Sequence, residues 1–128
     1  MARTIISTNT KWERTFGYSR AVRAGDRVFV AGTTAVDESG AVTGEGDPYA
    51  QTSAVLNKIA AALAQAGASM RDVVRTRMYV TDMAHSEAVG RAHGEFFSEI
   101  RPAATMVQVV KLIDPRLLVE IEVDAVVV

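Results

Sequence analysis

Cysteine is absent from the sequence, so no disulfide can staple the fold and no thiolate nucleophile, zinc ribbon or iron–sulfur cluster can be built. An excess of charge of one sign is also missing. Fourteen basic and 15 acidic residues leave a formal net charge of −1, without the electrostatic footprint of a dedicated nucleic-acid binder. No apolar run approaches the roughly 20 residues of a membrane-spanning helix. The opening MARTIISTNTKWE lacks the charged-then-apolar order of a signal peptide, and the expectation is a soluble, cytoplasmic protein without a membrane partner. Only two histidines occur, His85 and His93. Eight helical steps would rotate one about 80° from the other, whereas metal-binding helices place ligands at i and i+4. No metal site is expected. A G-x-S-x-G elbow, a P-loop and a strand-borne GxGxxG are missing as well, which removes support for acyl transfer and nucleotide-phosphate chemistry.

What the sequence supplies is 48% hydrophobic residues over 128 positions, enough for one domain burying roughly two thirds of the surface its unfolded form exposes. No repeat or low-complexity tract interrupts it. Arg3 to Ser7 is a short strand candidate, and the polar stretch from Thr8 to Arg14 reads as a loop carrying the only tryptophan, Trp12. Phe16 to Val22 alternates, with Phe16, Tyr18, Arg20 and Val22 on one face. Gly25-Asp26 supplies a hairpin turn into a returning strand from Arg27 to Ala31. Gly32, inside VAGTTAV, marks either a bulge or a close approach of another backbone or a ligand.

Asp37 to Gly46 is an exposed connection rich in turn formers. Asp47-Pro48 starts a helix whose stripe is Val55, Ile59, Ala62, Leu63 and Ala66, with Gly67 as its C-terminal cap. Val73 to Val80 is a strand. Asp82 caps a second helix running to about Ser98, with Val89, Ala92, Phe96 and Phe97 on its buried side. Pro102 ends it. Ala103 to Leu112 and the final run are expected as two strands joined through a tight turn at Asp114-Pro115. On the last one, Leu118, Glu120, Glu122 and Asp124 share one face, and Val119, Ile121, Val123, Ala125 and Val127 the other.

The elements predict an α+β domain: a single mixed six-stranded sheet with two helices packed on one face. Self-association would cover the other face. Outward carboxylates on a half-buried strand are the ordinary case, but Glu120, Glu122 and Asp124 could also activate water if they line a cleft. Arg71, Arg75 and Arg77 form a basic cluster suited to a solvated or subunit-contacting face rather than to RNA.

Gly17-Tyr18, VAGTTAV, VVRTRMYVTD from Val73 to Asp82, Arg101-Pro102-Ala103 and the ending VEIEVDAV stand in an order that resembles the Rid family, also called YjgF-like proteins. The resemblance runs from about Tyr18 to the C-terminus. It implies a chorismate-mutase-like fold and a homotrimer with a central barrel and three small-molecule clefts between neighbours. In the enzymatic branch such clefts hydrolyse reactive enamines and imines, without a cofactor, to ketoacids and ammonia. The resemblance assigns Glu120 as the catalytic glutamate that positions water, with Tyr18 and Gly32 lining the pocket. The family's substrate-anchoring arginine follows the Pro-Ala step, where this sequence has Ala104. A charge-assisted bidentate pair contributes on the order of 1.5–3 kcal/mol, and a methyl group contributes none of it. The chain therefore falls outside the arginine-bearing branch, and deamination of free 2-imino acids is in doubt. Arg101 lies across Pro102 and is no simple substitute. Arg20, expected about 6.5 Å along the strand from Tyr18, is a candidate relocated anchor or else a solvated or interfacial side chain. The leading expectation is hydrolysis or binding of an enamine, imine or related C–N metabolite. The alternatives are a non-catalytic metabolite-binding module and a regulatory or chaperone-like trimer.

Overall fold

A computed structural model describes residues 2–8 and 10–128. In chain order the elements are β1 (Arg3–Ile6), α1 (Lys11–Phe16), β2 (Ala21–Ala24), β3 (Arg27–Thr33), α2 (Pro48–Gln65), β4 (Val73–Val80), α3 (Ser86–Phe97), β5 (Ala103–Gln108) and β6 (Val119–Val126). Short 3-10 turns, Met70–Asp72 and Met83–His85, precede β4 and α3. The six strands form one mixed sheet in the order β1-β2-β3-β6-β4-β5. The fold is the expected α+β arrangement.

Local chemistry places several boundaries where the sequence puts them. Gly25, at φ 65°, turns β2 into β3. Asp47 caps α2 by accepting a hydrogen bond from the Ala50 amide at 3.0 Å, and Pro48 occupies the first turn, where its missing N–H costs nothing. Gly67 follows the helix at φ 76°, a left-handed conformation that favours glycine. Asp82 accepts from the Ala84 amide at 2.9 Å and so caps the turn leading into α3.

Four expectations are corrected. The stretch from Thr8 to Arg14 is not simply a loop, because α1 begins at Lys11 with Thr10 as its cap and ends at Gly17, whose φ of 75° reverses the chain. Phe16 and Tyr18 therefore precede the strand, which starts only at Ala21. Strand β5 stops at Gln108, short of Leu112. Most consequentially, β5 and β6 are not a hairpin. Strand β5 runs parallel to β4 at the sheet edge, while β6 lies antiparallel between β3 and β4. A parallel pair needs a crossover element, and α3 supplies it between β4 and β5.

Strand β6 is the centre of the sheet. Its alternation is complete: Val119, Ile121, Val123 and Ala125 are buried against the helices, and Glu120, Glu122 and Asp124 are half-buried on the other face. Each fully buried aliphatic side chain here contributes roughly 1.5–3 kcal/mol. Helix α2 closes the core with Val55, Leu56, Ile59 and Leu63, packing on β3 and β6 and against α3. Val89, Ala92 and Phe97 of α3 are buried, whereas Phe96 is only partly so. Neither α2 nor α3 covers the opposite sheet face, and Ile5, Phe29 and Val107 lie exposed on it. Among the described residues, no helix is long and apolar enough to cross a membrane.

Candidate functional site

The candidate site is built by an irregularity in β3. Val30 pairs with Val123 and Thr33 with Ile121, so three steps on β3 oppose two on β6. One extra residue is accommodated at Ala31-Gly32, which makes a β-bulge and locally re-aims the strand. Gly32 is also a close-approach position: a Cβ built on it would overlap Oε2 of Glu120. The bulge reading of Gly32 therefore holds, and what approaches its bare backbone is the Glu120 carboxylate rather than another backbone.

Arg20 donates a 2.6 Å hydrogen bond from Nη2 to the Gly32 carbonyl. The backbones support the same geometry, with the Ala31 amide donating to the Arg20 carbonyl at 3.0 Å. From the helix side, Lys58 of α2 donates to the carbonyls of Thr34 at 2.7 Å and Val36 at 2.8 Å. Burial pushes the Lys58 ammonium below its ordinary pKa, and the charge of Arg20 pushes the same way. The carbonyls leaving the bulge are thus held by two cations.

The chemistry of the site centres on Glu120. Burial raises its pKa above the usual carboxylate value, Arg20 opposes the rise and Glu122 adds to it. Glu122 accepts a hydrogen bond from the Tyr79 hydroxyl, which, with burial, raises the tyrosine pKa. Arg77 pairs with Asp124 at 3.3 Å. Among three carboxylates on one face of β6, Asp124 is ion-paired and Glu122 is hydrogen-bonded. Glu120 remains beside a raised-pKa environment and an open space. Such a carboxylate can take a proton from water and return it.

Two open concavities share this face. One, of about 310 Å³, is lined by Gly32, Tyr79, Val109, Lys111, Leu112, Glu120 and Glu122. The other, of about 560 Å³, holds Tyr18 with Val22, Phe29, Glu122 and Asp124. Within the chain, then, Gly32 and Glu120 come together, Arg20 hydrogen-bonds to Gly32, and Tyr18 lies in the neighbouring concavity. Ala104 is not brought to Glu120. It lies on edge strand β5 level with Thr76, whose side chain is buried towards α3, so strand alternation directs its methyl to the helix face.

Tyr79, Lys58 and Lys111 belong to the site but escape sequence reading. Tyr79 alternates with Met78 on β4, and only its antiparallel register with Glu120 reveals which face it shares. Lys58 looks like the solvated side of an amphipathic helix. The histidines are used separately: His93 hydrogen-bonds to Thr76 at 2.9 Å and packs on Phe97, while His85 ends the turn before α3. Burial lowers the His93 pKa. Among the described residues no group of three or more metal-ligating side chains is assembled.

A family model described as Endoribonuclease L-PSP matches residues 9–127. A Streptomyces coelicolor protein described as uncharacterized is 44% identical over 120 residues, covering 94% of this chain and 89% of its own length. The 3-aminoacrylate deaminase RutC of Acinetobacter baylyi is 38% identical over 104 residues, covering 81% of this chain and 82% of that protein. A crystal structure of a Mycobacterium tuberculosis member of the YjgF/YER057c/UK114 family matches with a TM-score of 0.89 at 49% identity, covering 98% of this chain and 100% of that one.

Proposed function

The chain belongs to the Rid, or YjgF-like, family, and from that premise we propose that it hydrolyses an enamine or imine to a carbonyl compound and ammonia. The observation that carries this reading is the Glu120 carboxylate, lying against the bare backbone of Gly32 at the wall of an open concavity, with its pKa raised by burial. Water attacks the C=N carbon while Glu120 accepts its proton. With the C=N nitrogen protonated, the state an enamine reaches on taking a proton at carbon, this addition gives a neutral carbinolamine. Glu120 returns its proton to the nitrogen, ammonia leaves, and the hydroxyl loses its proton to form the carbonyl. One water is consumed and one ammonia released. No redox partner is needed.

The similarity to a 3-aminoacrylate deaminase supports this chemistry. The words "endoribonuclease" in the family description point to RNA cleavage, but the open sheet face interleaves Arg75 and Arg77 with Glu122 and Asp124, and Arg77 is paired with Asp124. A face neutralised in this way favours a small molecule over a polyanion.

We place the working cleft at a subunit boundary of a homotrimer. Ile5, Phe29 and Val107 on the uncovered face, with Val110 (96% exposed) and Ile113 (90%) beyond β5, leave apolar surface that association would bury. Tyr18, 43% exposed in the neighbouring concavity, is available to close the cleft of an adjacent subunit. Ammonia release from a panel of imines and enamines, generated in situ, tests the proposal. Turnover above the uncatalysed rate is expected. Saturable ligand binding with no turnover across the panel would instead identify a metabolite-binding module.

A further inference from the structure

With Ala104 on the helix face, the cleft needs another group if it is to hold an anionic substrate. Arg20 does not fill that need. Its Nη2 is committed to the Gly32 carbonyl, and its Nε is enclosed without a hydrogen-bond partner among the described residues. Arg101 lines neither concavity. Lys111 is different. It lines the same concavity as Glu120 and Glu122, is exposed, and forms no ion pair with either acid or any other described residue.

The position of Lys111 is set from both sides. The Val109 amide donates to the Val80 carbonyl at 2.8 Å, extending the pairing beyond β5 to within two residues of Lys111. Downstream, Asp114 accepts from the Arg116 amide at 2.8 Å, and fully buried Gln51 of α2 bonds to the Arg116 carbonyl at 2.9 Å and the Leu118 amide at 2.8 Å. Leu117 is buried beneath this turn. The lysine therefore projects from a short connection tied at both ends. The concavity is thus lined by one cation and two carboxylates.

We infer that Lys111 binds the carboxylate of the substrate, taking the place of the arginine absent at residue 104, so that the cleft accepts a small carboxylate-bearing imine or enamine with its nitrogen end facing Glu120 and Glu122. The inference deepens the proposed function and rests on it for the identity of the C=N group, but the carboxylate contact can be read without turnover. An ammonium is a point charge on a flexible stem and lacks the bidentate fork of a guanidinium. The cleft should therefore tolerate a wider range of carboxylate positions than a clamped site.

The test is titration of pyruvate and of its neutral isostere pyruvamide, followed by NMR shifts, against wild type, Lys111→Ala and Lys111→Arg. Wild type should prefer pyruvate by roughly fivefold or more, the discounted worth of a partly solvated charge-assisted contact. Lys111→Ala should abolish the preference while pyruvamide affinity stays the same, and Lys111→Arg should retain it. A preference that survives in Lys111→Ala overturns the inference, as does a wild type that shows no saturable pyruvate binding. The two proposals fail separately. If no imine is hydrolysed yet the lysine-dependent preference persists, only the catalytic reading falls. If imines are hydrolysed but Lys111→Ala leaves the KM ratio of carboxylated to neutral imines unchanged, only the Lys111 assignment falls.

Discussion

A missing side chain and a carboxylate define the site at the scale of the residue. The group that would clash with a Cβ at residue 32 is the flexible end of Glu120, so Gly32→Ala should displace that carboxylate rather than disrupt the strand. Gly32 has no left-handed φ requirement, and alanine there reduces unfolded-chain entropy by about 0.4–1 kcal/mol. The expected result is a Tm equal to or above that of wild type together with a loss of roughly tenfold or more in kcat/KM. The raised pKa of Glu120 gives a second prediction. A carboxyl whose folded pKa exceeds its unfolded value favours the native state when protonated, and that contribution is lost as pH rises from the unfolded value, near 4.5, through the folded one. Glu120→Gln should accordingly be more stable than wild type at pH 7, with the gain fading as the pH is lowered through the raised folded pKa and gone once it reaches about 4.5. That Glu120 and Gly32 line one concavity is legible from a specific family pattern that runs through both. Lys111 is not, since a lysine in a polar connection looks solvated until the fold shows what stands opposite.

The elements divide by whether their signals are local. Capping by Asp47, the turn at Gly25 and the alternation of β6 are written in neighbouring residues, and each reads correctly. The pairing of β5 is not local: Pro115 marks a turn, but only the competition for the edges of β4 decides that β6 enters the sheet centre and β5 takes its rim. Helix α1 was missed for another reason. Its six residues are too few to show a period, and its anchor is the buried Glu13, 5% exposed. Burial alone would raise the Glu13 pKa, but hydrogen bonds from Thr8, Ser7 and Thr10 together hold it below the usual value. The Glu13 carbonyl also accepts from the Gly17 and Tyr18 amides, which ties the placement of Tyr18 to α1. Glu13→Ala should cost about 1.5–3 kcal/mol in urea denaturation at pH 7, the worth of hydrogen bonds to a charged group. Because the folded pKa is depressed, this stabilisation is complete above the unfolded value of 4.5 and lost as the pH falls through the folded one. The wild-type and mutant curves should converge in acid.

For the molecule as a whole, the central fact is a sheet with its two long helices, α2 and α3, on one side only. Phe29 is 46% exposed near the middle of the other side, an unfavourable site for a large aromatic in an isolated subunit. Light scattering should give about 41 kDa, three copies of the 13.7 kDa chain, in keeping with closed cyclic assembly. Phe29→Glu should shift that mass towards the single chain, since an uncompensated charge would be buried at the contact. A stable wild-type monomer would contradict the placement of the cleft at a subunit boundary. The function rests more narrowly on one carboxylate, and the most direct measurement is the pH profile of kcat/KM for ammonia release by wild type and Glu120→Gln, with light scattering on the same samples. Wild-type activity should rise with pH to a break above 4.5, the direction in which Glu120 is shifted, and Glu120→Gln should lose at least about a hundredfold in rate and the break with it while its mass is unchanged. A Glu120→Gln protein of unchanged mass that keeps the wild-type rate and pH profile would contradict it.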